Sequence, residues 1–129
     1  MIQYPANEVI EFAHKVIDSG VDIYHGHSAH IFQGIQIYKN KLIMYDCGDF
    51  VDDYYVGPRE KNDQQLIFFI KLQDKKIKEI KLFPLLIDNC QVNLAKNKIY
   101  EEIYERIKKL SKDFNTEIIK EESYLKVKI

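Results

Sequence analysis

The residue pattern predicts an α/β protein of the α+β kind, with layers of mixed β-sheet carrying two main helices. Three observations lead there. Apolar residues recur at the helical period in two separate stretches, one near residue 10 and one past residue 99. Between them lie paired apolar runs broken by short polar tips. The last five residues alternate apolar and basic, the period of a half-buried strand. At 129 residues the chain has room for one real core, so residues 1–129 read as a single domain.

Val9, Ile10, Ala13, Val16 and Ile17 define the first helix, with Asn7 as its expected cap, Glu8 near its positive end and Gly20 as its stop. Val21-Asp22-Ile23-Tyr24 follows as a short strand. Ile35, Ile37, Leu42, Ile43 and Tyr45 flank Lys39-Asn40-Lys41, which predicts a hairpin. A second hairpin is expected from Leu66–Leu72 and Ile77–Phe83 across Gln73-Asp74-Lys75-Lys76, with Leu66-Ile67-Phe68-Phe69-Ile70 covered on both faces. Ile99, Ile103, Ile107 and Leu110 stripe a helix predicted from about Asn93 or Leu94 to Lys112. In the tail, Leu125, Val127 and Ile129 are expected inward and Lys126 and Lys128 outward.

Composition excludes several classes of function. With 46% apolar and 30% charged residues and no low-complexity tract, the chain reads as globular. Nineteen basic against twenty acidic side chains leave a formal charge of -1, so no bulk field recruits nucleic acid. No apolar run approaches the roughly 20 residues that span a bilayer, and the N-terminal residues lack the layout of a secretion signal. Localisation stays open. Two distant cysteines, Cys47 and Cys90, are expected to be buried free thiols.

Three of the four histidines fall in the six-residue run His25-Gly26-His27-Ser28-Ala29-His30, at the end of a predicted strand. Imidazole is both a common ligand of divalent metals and the usual proton carrier near neutral pH. Small residues around His27 and His30 let the backbone turn tightly and bring both rings to one point. Loop histidines bonded to backbone carbonyls are an equally weighted reading. A catalytic metal needs more than two imidazoles, and Asp46, Asp49, Asp52 and Asp53 are candidates to complete a site. Asp49 is a candidate to hydrogen-bond a ligating histidine, with a solvated acidic turn as an alternative of at least equal weight. His25 is a weaker candidate because alternation turns it away, and His14 reads as a boundary histidine of the first helix. Arg59, in Gly57-Pro58-Arg59-Glu60, is a candidate substrate clamp for a carboxylate or phosphate, with a surface ion pair as the alternative.

The ordered set Phe12-Ala13-His14, Asp18-Ser19-Gly20-Val21-Asp22, His25–His30, Gly34-Ile35 and Cys47-Gly48-Asp49-Phe50-Val51-Asp52-Asp53-Tyr54 resembles the bacterial CapA family of capsule and poly-γ-glutamate synthesis proteins. The resemblance continues through Pro84, Asn89-Cys90-Gln91-Val92 and Ala95. That family is similar to calcineurin-type metallophosphoesterases, whose last motif, Gly-His-x-His, supplies two histidines to a two-metal centre. The resemblance implies that His27 and His30 are the matching pair, here one residue further apart. It also implies that the chain corresponds to the C-terminal half of a metallophosphoesterase-like sandwich, the upstream Asp-x-His and Asn-His motifs not occurring in it.

Two functions follow from the resemblance. The first is a capsule or poly-γ-glutamate biosynthesis protein with an assembly or polymer-handling role, whose partners are an anionic polymer or capsule-synthesis subunits. The alternative is a metal-dependent phosphoesterase in which His27 and His30 hold manganese, zinc or iron, Asp49 assists, and a missing N-terminal half completes the centre. The first is preferred because the catalytic complement is incomplete. A sheet lacking its usual neighbour exposes an apolar face or an open edge, so a homo-oligomer is expected.

Overall fold

In the computed structural model, which describes residues 2–129, strand β3 (Lys41–Met44) organises the first half of the chain. It lies between β1 (Ile23–His25), to which it is parallel, and β2 (Ile35–Tyr38), to which it is antiparallel. Alternation along β3 decides what covers the small sheet. Leu42 and Met44 face the main core, while Ile43 and Tyr45 face helix α1 (Asn7–Asp18) through Ala13 and Ile17.

The second sheet is built on a long hairpin, β4 (Gln64–Gln73) and β5 (Lys76–Asp88). β6 (Gln91–Leu94) pairs with the far end of β5, and β8 (Leu125–Val127) with its middle. β7 (Ile118–Lys120) lies on the outer edge of β8. Helix α2 (Asn97–Lys112) seals the space between the sheets with Tyr100, Ile103, Ile107 and Leu110, which meet Phe32, Ile35 and Leu66 in one core. At Gly34 the chain passes so close to α2 that an added Cβ would lie 2.5 Å from the Leu110 carbonyl oxygen. The C-terminal end of α2 and the turn after it then satisfy β2, whose Ile35 and Ile37 amides donate to Ser111 Oγ at 3.1 Å and Thr116 Oγ1 at 3.2 Å. Two helices on two sheets make this an α+β fold.

Several expectations are corrected. Asn7 is the first residue inside α1, and Ala6, extended, takes the cap position, its carbonyl accepting from Val9 and Ile10. The first strand lies at Ile23–His25, not at 21–24, so His25 belongs to it. Residues 91–94 form a strand where a helix start was expected. Asn89 and Cys90, both at positive φ, turn the chain back so that Leu94 pairs with Leu85, and the helix begins only at Asn97. The stretch 66–70 is not covered on both faces, since Phe69 is half exposed. Ile129 lies past the last strand and is likewise half exposed. Strand β7 escaped the sequence reading entirely.

Cys47 is buried as expected, but Cys90, in the β5–β6 turn, is exposed. Burial, then the nearby Asp46 carboxylate, pushes the Cys47 thiol up to about 12, so at neutral pH it is neither reachable nor ionised. A thiol reagent on the folded protein should therefore consume one equivalent, at Cys90. The second should react only with unfolding, and prompt labelling of both would contradict this packing.

Candidate functional site: the histidine turn and its groove

The carboxyl ends of the parallel pair β1 and β3 open onto one groove of about 450 Å³, the position where sheets of this kind present ligands. His27, Ala29 and His30 line it together with Gln33, Tyr45 and Asp46 and with Tyr4 and Pro5 of the N-terminal segment. The structure thus brings His27 and His30 to the same groove. Ser28 and His30 both have positive φ, 108° and 65°, so the turn is tight and partly strained.

Three contacts hold that turn against the end of β3. The Gly26 amide donates to the Met44 carbonyl at 2.8 Å, and its own carbonyl accepts from Cys47 at 3.1 Å. A Cβ at Gly26 would stand 2.0 Å from the Tyr45 carbonyl oxygen, which excludes any side chain there. Asp46 is buried, and its two carboxylate oxygens accept from the amides of Ala29 and Gly48, each at 2.8 Å. A carboxylate bridging two backbone amides in the interior is a strong connection because both donors would otherwise be stranded.

Gln65 on β4 makes a second brace. It is fully buried; its Nε2 donates to the carbonyls of His30 at 3.0 Å and Asn62 at 2.8 Å, while its Oε1 accepts from the Asp49 amide at 3.1 Å. Nothing in the sequence singled it out. A glutamine in an apolar strand, one position before Leu66, is the available signal, since a buried amide needs partners on both of its ends.

His30 Nδ1 and Asp49 Oδ2 are 2.8 Å apart, and the edge of the imidazole meets the Tyr54 ring at 5.2 Å between centroids. His27 is exposed, its Nδ1 3.2 Å from Ser28 Oγ. Burial, followed by the adjacent Asp49 carboxylate, raises the Asp52 carboxyl above the ordinary range, against the Tyr54 amide that donates to it at 3.2 Å. Asp53 is exposed, as is His25 at the end of β1. His14 is a boundary histidine, stacked on Tyr38 at 4.1 Å with Nε2 2.8 Å from Gln36 Oε1. Arg59 sits on an exposed turn braced by Asn62, which accepts from the Gly57 amide and donates to the Tyr55 carbonyl, and it does not line the groove.

The donor set also bears on a metal. Asp46 is committed to two amides and Asp49 to His30, leaving two imidazoles at the groove. Among the described residues no group of three or more His, Cys, Asp or Glu side chains could hold a metal ion. These residues do not by themselves fit a two-metal centre.

Comparison with known proteins bears on the same stretch. Residues 1–54 match the family described as bacterial capsule synthesis protein PGA_cap, a span that holds α1, the histidine turn, β1–β3 and Asp49. Over 115 residues, 85% of this chain, it is 31% identical to a "Probable polyglutamine synthesis accessory protein" of Mycobacterium tuberculosis. It is 30% identical over 96 residues to the "Capsule biosynthesis protein CapA" of Bacillus anthracis, covering 70% of this chain. This chain belongs to the bacterial CapA-type capsule synthesis family. It spans 30% of the length of the mycobacterial relative and 23% of that of CapA. The span matched to the PGA_cap family ends at Tyr54, before Arg59 and Gln65, while the likeness to the two relatives extends past it.

Two substitutions test the bracing. Gly26→Ala should lower unfolding stability by about 2–3 kcal/mol, the cost of forcing a methyl against fixed backbone. Gln65→Ala leaves the Asp49 amide and two carbonyls without their partner and should cost a similar amount, about 2–3 kcal/mol. Urea denaturation measures both, and a change within about 0.5 kcal/mol for either, the range of ordinary surface substitutions, would contradict the assigned contact.

Proposed function

We propose that this chain acts in capsule biosynthesis as a polymer-handling component, with the groove under His27 and His30 as a contact for an anionic polyamide of the poly-γ-glutamate type. The observation that carries this is the pairing of His30 Nδ1 with Asp49 at the rim of an open groove. A carboxylate that holds the Nδ1 proton turns Nε2 into the acceptor, and a polyamide repeats N–H donors along its length. His27 supplies a second imidazole to the same wall. The names of the relatives, one a capsule biosynthesis protein and one a polyglutamine synthesis accessory protein, support a role in capsule synthesis and a polyamide as the polymer.

Binding of a γ-linked glutamate polymer to the whole chain tests the reading. The doubly substituted H27A/H30A protein should bind at least about tenfold more weakly, some 1.4 kcal/mol, with its melting temperature within a few degrees of the parent. Affinity no greater than that of an unrelated acidic protein, or affinity untouched by the double substitution, would reject it.

A further inference from the structure

A second cleft, of about 440 Å³, lies at the other end of the small sheet, between the tips of the β2–β3 and β4–β5 hairpins. Four lysines line it, Lys39 and Lys41 from one tip and Lys75 and Lys76 from the other, against a single lining aspartate, Asp22. Ile77 contributes apolar surface.

The charges are only half cancelled from within. Lys39 pairs with Asp18 at 2.6 Å and Lys41 with Asp22, but Lys75 and Lys76 make no ion pair among the described residues. Contrast the groove between α2 and β7. There Lys120 is held by Glu101 at 2.8 Å, Lys108 is 4.0 Å from Glu105, and Glu117 sits in the lining itself. Lysine-rich surface is common on this chain, and what sets the cleft apart is that lysines of two hairpin tips converge on it, those of the β4–β5 tip without an ion-pair partner among the described residues.

The tips themselves are unusual in residue choice. Both are two-residue turns with positive φ at each position, Lys39 (50°) and Asn40 (63°) in one, Asp74 (50°) and Lys75 (63°) in the other. Such turns favour Asn, Asp or Gly, and lysine there carries a conformational cost of roughly 1–2 kcal/mol. Charge is therefore placed where backbone preference alone would not put it.

We infer that this cleft is a cationic seat for a carboxylate-bearing polymer, a second contact for the same chain that the histidine groove handles. The inference rests on the polymer-handling reading for its ligand and on the lysine geometry for its place. Lysine meets carboxylates as separate point charges, which suits a flexible chain with one carboxylate per repeat rather than a fixed bidentate anion. A long polymer held at both ends of one sheet also gains from effective concentration, so each contact can be weak.

The experiment measures binding of γ-linked glutamate polymer to the whole chain across a salt series, for the parent, K75E/K76E and K108E/K109E. The two double reversals change net charge equally and differ only in place. K75E/K76E should weaken binding at least tenfold and flatten its salt dependence, while K108E/K109E stays within about twofold of the parent. Equal loss in both variants would mean bulk charge alone and would overturn the inference. So would full binding by K75E/K76E, which leaves the polymer-handling reading intact. No binding by the parent at any salt would overturn both.

Discussion

The close passage of Gly26 beneath the Tyr45 carbonyl is the constraint on which the site depends. An added Cβ would stand 2.0 Å from that oxygen, so the first turn of the histidine run lies directly on the backbone leaving β3. Once the two chains are that near, Gly26 exchanges hydrogen bonds with Met44 and Cys47, and Asp46 reaches the amides of both Ala29 and Gly48. The pleat of β3 fixes the rest. Because Leu42 and Met44 go into the main core, Ile43 and Tyr45 must face α1, and Tyr45 then lines the groove together with His27 and His30.

This arrangement spreads the site over three separate stretches. The histidines follow β1, Asp46 and Asp49 follow β3, and Gln65 enters from β4. Gln65 joins the His30 carbonyl to the Asp49 amide, so the large sheet holds the two loops of the small sheet in register. The His30–Asp49 pair is consequently placed by backbone contacts on both sides rather than by its own exposed and modest attraction. Positive φ at Ser28 and His30 is tolerated because those contacts over-determine the turn.

The elements carried by long periodic patterns were legible in the sequence: both helices, both hairpins and the last strand. Their ends were less so. The sequence places the start of α2 at about Asn93 or Leu94, and what overrides this is the pairing of residues 91–94 with β5, a contact between segments that no local period reports. The three residues of β7 are too few to show alternation and owe their conformation to β8. Around the site, the closeness of His27 and His30 follows from the small residues between them, and the partnership of His30 with Asp49 from two strand ends lying side by side. Gln65 and the structural use of Asp46 depend on which backbone groups end up buried without partners, which becomes visible only when the loops are folded.

Amide hydrogen exchange at Ala29 and Gly48 tests the central claim most directly, since both amides lie in loops and, among the described residues, the acceptor of each is the buried carboxylate of Asp46. The account predicts that they exchange as slowly as the strand amides of β3, through opening of the whole domain. Exchange at the rate of a free loop, with β3 still protected, would mean that the histidine turn is not fastened to the sheet and would contradict the account.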